Sequence, residues 1–247
     1  MARHDDAVRR MENRIGELIK DFARYVEVFE ERDLFTGPSR YFHLQTIQRL
    51  HAFPSPSEAI QDDGFLESLY ATLTAWGMHR MGQGDTKLRE FHEFKASFVS
   101  QLEPIRCLER VKLKEASEGQ VPTLTNDVWK IISDLQIGTA ETKIVIGSKT
   151  LHHVLPDLVP PIDRQYTLNF FYGHKTLNLG DEKPFREIFP QFHRIATACS
   201  SKIGSFLSPQ WNSRTQMNTS TMKIVDNAIV GYVLSHKASS SGLTQGE

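Results

Sequence analysis

GSKTLHHVLPDLVPPIDRQYTLNFFYG, residues 147–173, reads as a short helix, a proline-bounded loop and a second helix opened by a carboxylate. Leu151, Val154 and Leu155 stand at i, i+3 and i+4 and make one apolar helical face, which leaves Lys149, His152 and His153 on other sides. Pro156 stops that helix, and Pro160 and Pro161 hold the chain extended. Asp163 then takes the N-cap position of a helix over residues 164–172, which Gly173 terminates. One tight loop therefore turns a lysine behind a glycine, and an aspartate at a helix head, back towards each other.

Outward from this stretch, apolar residues recur at helical spacing almost everywhere. Met11, Ile15, Leu18, Phe22, Tyr25 and Phe29 mark a long amphipathic helix over residues 5–29. A helix is expected over 39–52, then a turn over 54–58 with Ser57 as a cap for a short helix, then a largely buried helix over 64–81. Further helices are expected over 87–102, 104–114, 126–135, 183–203 (interrupted by Pro190) and 219–235, with 115–122 as the linker and 204–218 as a polar loop. No sustained alternating pattern of β type occurs. The expected fold is all-α: nine or ten helices in two closely packed layers, with a hairpin-like DNA-binding segment and a cleft between them. The expected organisation is an N-terminal helical layer over 1–122, a hairpin and aspartate domain over 123–236, and a disordered tail over 237–247.

Composition excludes several classes. With 39% hydrophobic and 24% charged residues the chain carries the apolar content of a globular core. No run approaches the roughly 18 apolar residues of a membrane span, and the start MARHDDAVRRMEN has no apolar stretch of signal type, so a cytoplasmic protein without a membrane partner is expected. Only Cys107 and Cys199 are present, too few for a four-cysteine zinc site or an iron–sulfur cluster. Formal charge is −1; residues 1–123 hold 17 basic and 20 acidic side chains and residues 124–247 hold 12 and 10, so no global basic field points to nucleic acid. An enzyme that clamps only a few phosphates beside one extruded base needs no such field.

Residues 132–167 resemble the active-site segment of the helix-hairpin-helix DNA glycosylase superfamily, in which a hairpin ends in Gly-x-Lys-Thr/Val and an aspartate heads the helix after next. Gly147-Ser148-Lys149-Thr150 matches the hairpin end and Ile162-Asp163 the aspartate site; Ile144 and Val145 replace the family's proline and first glycine. The resemblance implies a DNA glycosylase without cluster or other cofactor, acting as a monomer on double-stranded DNA that carries a modified or damaged base. A modified cytosine of phage DNA, removed in antiviral defence, is one such substrate. It further implies that Asp163 supports cleavage of the N-glycosidic bond, and that Lys149 either attacks the sugar, as in superfamily members that also cut the strand, or contacts a phosphate.

The residues themselves carry these roles with alternatives. A carboxylate at a helix start meets backbone N–H donors and the positive end of the dipole, which suits an electrostatic stabiliser of a sugar cation better than an acid; the plain alternative for Asp163 is a cap. A lysine nucleophile needs an unprotonated amine, and the plain alternative for Lys149 is a solvated side chain. The expected phosphate contacts are Ile146, Gly147, Ser148 and Thr150, through backbone N–H groups of a turn, together with Arg164. The expected base pocket takes Tyr41, Phe42, Trp76, Trp211 and Asn212, the last two from the loop 208–216 with Arg214. His152, His153 and Asp157 are not expected to hold a metal, since adjacent helical histidines diverge by about 100°. One of the two is expected to bond a carbonyl beneath the aspartate loop. Asp226 and Asn227 read as core polar residues, or as a second carboxylate of the site. The rival reading of the whole is a non-catalytic all-α module that binds nucleic acid or protein.

Overall fold

The structure, a computed structural model, describes residues 2–80, 88–176, 180–207 and 217–241, with backbone alone for 2–5, 80 and 238–241. It is all-helical, with 13 α-helices and no strand among the described residues. In chain order these are α1 (Ala2–Lys20), α2 (Phe22–Arg32), α3 (Pro38–His51), α4 (Pro56–Ala59), α5 (Asp63–Ala75), α6 (Phe91–Ser100) and α7 (Leu102–Leu108). They continue with α8 (Val121–Asp134), α9 (Ile144–His152), α10 (Asn169–Tyr172), α11 (Glu182–Ala198), α12 (Ser200–Phe206) and α13 (Thr221–Ser241).

The count exceeds nine or ten because helices break where periodicity does not. The long first helix parts at Asp21 into α1 and α2, and both pieces keep their buried faces. Ser55, not Ser57, caps α4: its hydroxyl accepts the Glu58 N–H at 3.3 Å, whereas Ser57 is buried. Pro190 does not interrupt α11, where Phe185, Ile188, Phe189, Phe192 and Ile195 lie in the core and hold the helix through the missing N–H. The expected linker already contains the start of α8 at Val121, and α13 continues to Ser241, past the expected start of the tail.

At the centre lies α13, buried from Thr221 to Val233 on every side, as expected of a helix enclosed by others. It crosses α2 so closely that a Cβ on Gly231 would lie 1.8 Å from the Tyr25 carbonyl oxygen. A Cβ on Gly147 would lie 2.7 Å from an Ile132 methyl, which explains the glycine where α9 packs on α8. One buried apolar cluster crosses the boundary expected at 122/123, from Ile15 and Phe22 through Phe98 and Ile132 to Ile229 and Val233. No described helix is long and apolar enough to cross a membrane.

Candidate active site: an aspartate and two lysines in an aromatic cleft

The proline loop is stapled to α9 by two side chains of that helix. Ser148 Oγ accepts the Ile162 N–H at 3.0 Å, and His152 Nδ1 donates to the Val159 carbonyl at 2.8 Å. His152 is thus the histidine beneath the aspartate loop. Asp163 follows immediately and caps a π-helical turn, Arg164–Leu168. Its Oδ1 accepts the N–H groups of Tyr166 at 2.7 Å and Thr167 at 3.3 Å, while its own N–H donates to Thr167 Oγ1 at 3.1 Å. The widened turn lets two N–H groups reach one oxygen; π turns of this kind gather at functional sites. Among the described residues Oδ2 has no hydrogen bond, so one oxygen is anchored and the other is available.

Asp163 opens into a cleft of about 540 Å³, within the roughly 300–1,000 Å³ of ligand sites. Lys149, Arg164 and Trp76 line the same cleft, with Phe35, Tyr166, Lys223 and Asp226. The structure therefore brings together both expected catalytic residues, one expected phosphate contact and one expected wall. Lys149 Nζ sits 5.4 Å from the Trp76 ring centroid, over its face. Lys223 and Asp226 form a buried ion pair at 2.7 Å, and Lys223 also donates to Asn227 Oδ1 at 2.8 Å. Burial pushes the Asp226 carboxyl up, with the Asp163 charge adding to the rise and the Lys223 and Lys149 charges pulling it back, so Asp226 lies within the field of both expected catalytic groups.

Other expected site residues lie elsewhere. Ile146, Gly147, Ser148 and Thr150 are buried inside α9 rather than in a turn, and the Gly147 N–H is spent on the Lys143 carbonyl. Nor is the start of α9 available to a phosphate, because the Asp181 carboxylate accepts the N–H groups of Lys143 and Ile144. With Ile144 and Val145 in place of proline and glycine, the helix begins earlier and absorbs the expected turn. Tyr41 is 58% exposed and packs edge-on against Phe42, and neither lines the cleft. Phe35, from the segment before α3, stands beside Trp76 instead, at 6.0 Å. Trp211, Asn212 and Arg214 lie outside the described residues.

Behind Trp76 runs a buried histidine pair with a single consistent proton assignment. His153 Nδ1 lies 2.7 Å from the Lys149 carbonyl and must donate to it, so its Nε2 accepts from His43 Nδ1 at 2.9 Å. His43 Nε2 then accepts from the Thr219 hydroxyl at 3.1 Å. His43 stacks on Trp76 with centroids 5.4 Å apart, and His153 meets the same ring edge-on at 4.9 Å. The pair therefore fixes both the Trp76 wall and the backbone that carries Lys149. Asp157 Oδ1 accepts the Thr221 N–H at 3.0 Å and caps α13. No group of three or more His, Cys, Asp or Glu among the described residues could hold a metal ion.

Phe35, Tyr166 and Lys223 escape a reading of the sequence. Lys223 carries the one usable signal, a lysine three residues before Asp226 in the otherwise apolar run MKIVDNAIVGYV. Comparison of the chain with family models, with curated proteins and with solved structures finds no match.

Proposed function

We propose that this protein is a DNA glycosylase-like enzyme that draws a modified base out of the duplex and hydrolyses its N-glycosidic bond. Water adds at C1′ of the deoxyribose, and the electron pair of the C1′–N bond leaves with the base, which takes up one proton. Asp163 Oδ2 faces the positive charge that builds on the sugar and orients the water. The observation that carries this reading is the Asp163 carboxylate itself, one oxygen held by the Tyr166 and Thr167 N–H groups and the other without a hydrogen bond among the described residues, on a residue that lines an aromatic cleft shared with Lys149. Extrusion costs a few kcal/mol, and stacking on Phe35 and Tyr166 offsets it at about 1–3 kcal/mol per base–aromatic contact.

Lys149 and Arg164 supply positive charge in the same cleft for the flanking phosphates, and the partial resemblance to helix-hairpin-helix glycosylases supports the same roles. The rival, a non-catalytic all-α module that binds nucleic acid or protein, predicts that Asp163→Asn changes nothing. Mass spectrometry of bases released from bacterial and phage DNAs tests the reading and identifies the base. Asp163→Asn is expected to slow release by about 100-fold or more while DNA binding stays within a few-fold. A variant that releases bases at the wild-type rate, or a protein that releases none from any DNA, overturns it.

A further inference from the structure

Asp226 comes up from α13 at the floor of the cleft, only 5% exposed, and its two oxygens differ. Oδ2 accepts from Lys223 Nζ at 2.7 Å, whereas Oδ1 is buried and has no hydrogen-bond partner among the described residues. A buried acceptor without a donor costs about 1–3 kcal/mol, and more when it carries charge. The donors beside it on α13 are committed. The Lys223 ammonium is divided between Asp226 and Asn227 and lies over the rings of Phe29 at 5.4 Å and Phe35 at 5.1 Å. The Asn227 amide donates to the Met217 carbonyl at 3.2 Å and to Asn218 Oδ1 at 2.8 Å, and Asn218 donates to Glu30 at 2.6 Å. The floor therefore holds an acceptor without a donor among the described residues, below walls suited to a flat ring and beside the Lys149 and Arg164 cations; Oδ1 has under 1 Å² of accessible surface, so a bound ring reaches it by a turn of the carboxylate.

We infer that Asp226 is a specificity-determining residue: its Oδ1 accepts a hydrogen bond from an N–H on the edge of the extruded base remote from the sugar. The substrate class is then a base with an exocyclic amino group on that edge, not one that presents acceptors alone. A ring carrying only acceptors would leave the carboxylate oxygen unpartnered and set two lone pairs against each other, and sites built to bond an N–H reject such analogues strongly. This inference rests on the glycosylase reading and assigns the part of the substrate that Asp163 does not touch.

The test uses DNA duplexes in which one 2′-fluoroarabino nucleotide, resistant to glycosidic cleavage, carries adenine or purine, or carries cytosine or 2-pyrimidinone. Each pair differs by the amino group alone. Fluorescence anisotropy is expected to show the amino-bearing member of at least one pair binding about tenfold tighter. In Asp226→Asn the amide oxygen stays with Lys223 and the NH2 turns to the cleft, so the preference is expected to vanish or invert. Equal binding within both pairs by the wild type overturns the inference without any variant, and so does a preference that Asp226→Asn leaves unmoved. Failure to bind any of these duplexes, or one with an abasic-site analogue, overturns the glycosylase reading along with it, so the two failures are told apart.

Discussion

Ser148 spends its hydroxyl on the Ile162 N–H, and this buried bond sets where Asp163 stands relative to Lys149. Ser148→Ala leaves that N–H without a partner and is expected to lower stability by about 1–3 kcal/mol. It should also speed hydrogen exchange of the Tyr166 and Thr167 amides; unchanged exchange there would remove Ser148 from the site. The buried histidines make a second residue-scale prediction. Burial lowers His43 and His152 well below 6.5 and His153 to about 4, and the Lys223 charge adds to the fall in all three. The unfolded chain takes up these protons from about pH 6.5 downward while the fold does not, so their contribution is fully present above that pH and is lost as the pH falls towards 4. Each histidine contributes a slope of about 1.4 kcal/mol per pH unit in this window, and Asp226, raised by burial, opposes part of it. Urea midpoints should therefore drop steeply between pH about 6.5 and 4.5; a flat profile would mean the histidines are not held neutral.

At the level of helices, close approach rather than propensity decides which glycines matter. Gly231→Ala must part α13 from the Tyr25 carbonyl and is expected to cost more than about 3 kcal/mol, whereas Gly16→Ala, with nothing within 4 Å of its Cβ in α1, should stabilise by about 0.5–1 kcal/mol. Thermal melts of the two variants check this, and equal shifts would refute the tight crossing. The same distinction explains what the sequence reveals. Periodicity and prolines locate the helices around Asp163 because apolar spacing, Pro156 and the Asp163 cap act locally. The break at Asp21 and the passage of α11 through Pro190 depend on what each helix packs against, which no local pattern carries. Within the site, Asp163, Lys149 and Trp76 are legible because each has a motif or a periodic position. Phe35 and Lys223 are not, since their meaning arises only where α13 and the segment before α3 meet. Ser148 is legible from the motif, but the bond that its hydroxyl accepts from the chain's own loop is not.

The molecule as a whole closes its cleft from both halves of the chain. Leu34, Phe35, Ser39 and Trp76 face Lys149, Asp163, Tyr166, Lys223 and Asp226, and the helix that carries the last two is buried against α2. Residues 123–236 alone would expose the faces of α11 and α13 that α1 and α2 cover, including Tyr232, whose ring lies 5.1 Å from that of Tyr25. Burial of one large apolar side chain is worth about 1.5–3 kcal/mol, and several such losses exceed the roughly 5–15 kcal/mol that holds a domain folded. The fragment 123–236 is thus expected to lack a cooperative urea transition, and the fragment 1–122 likewise, while the full chain unfolds in one step. A cooperative transition from either fragment would restore the boundary at 122/123 as a true division between units. It would also predict a cleft that opens and shuts by motion of one half against the other, whereas a shared core holds Trp76 fixed across the cleft from Asp163.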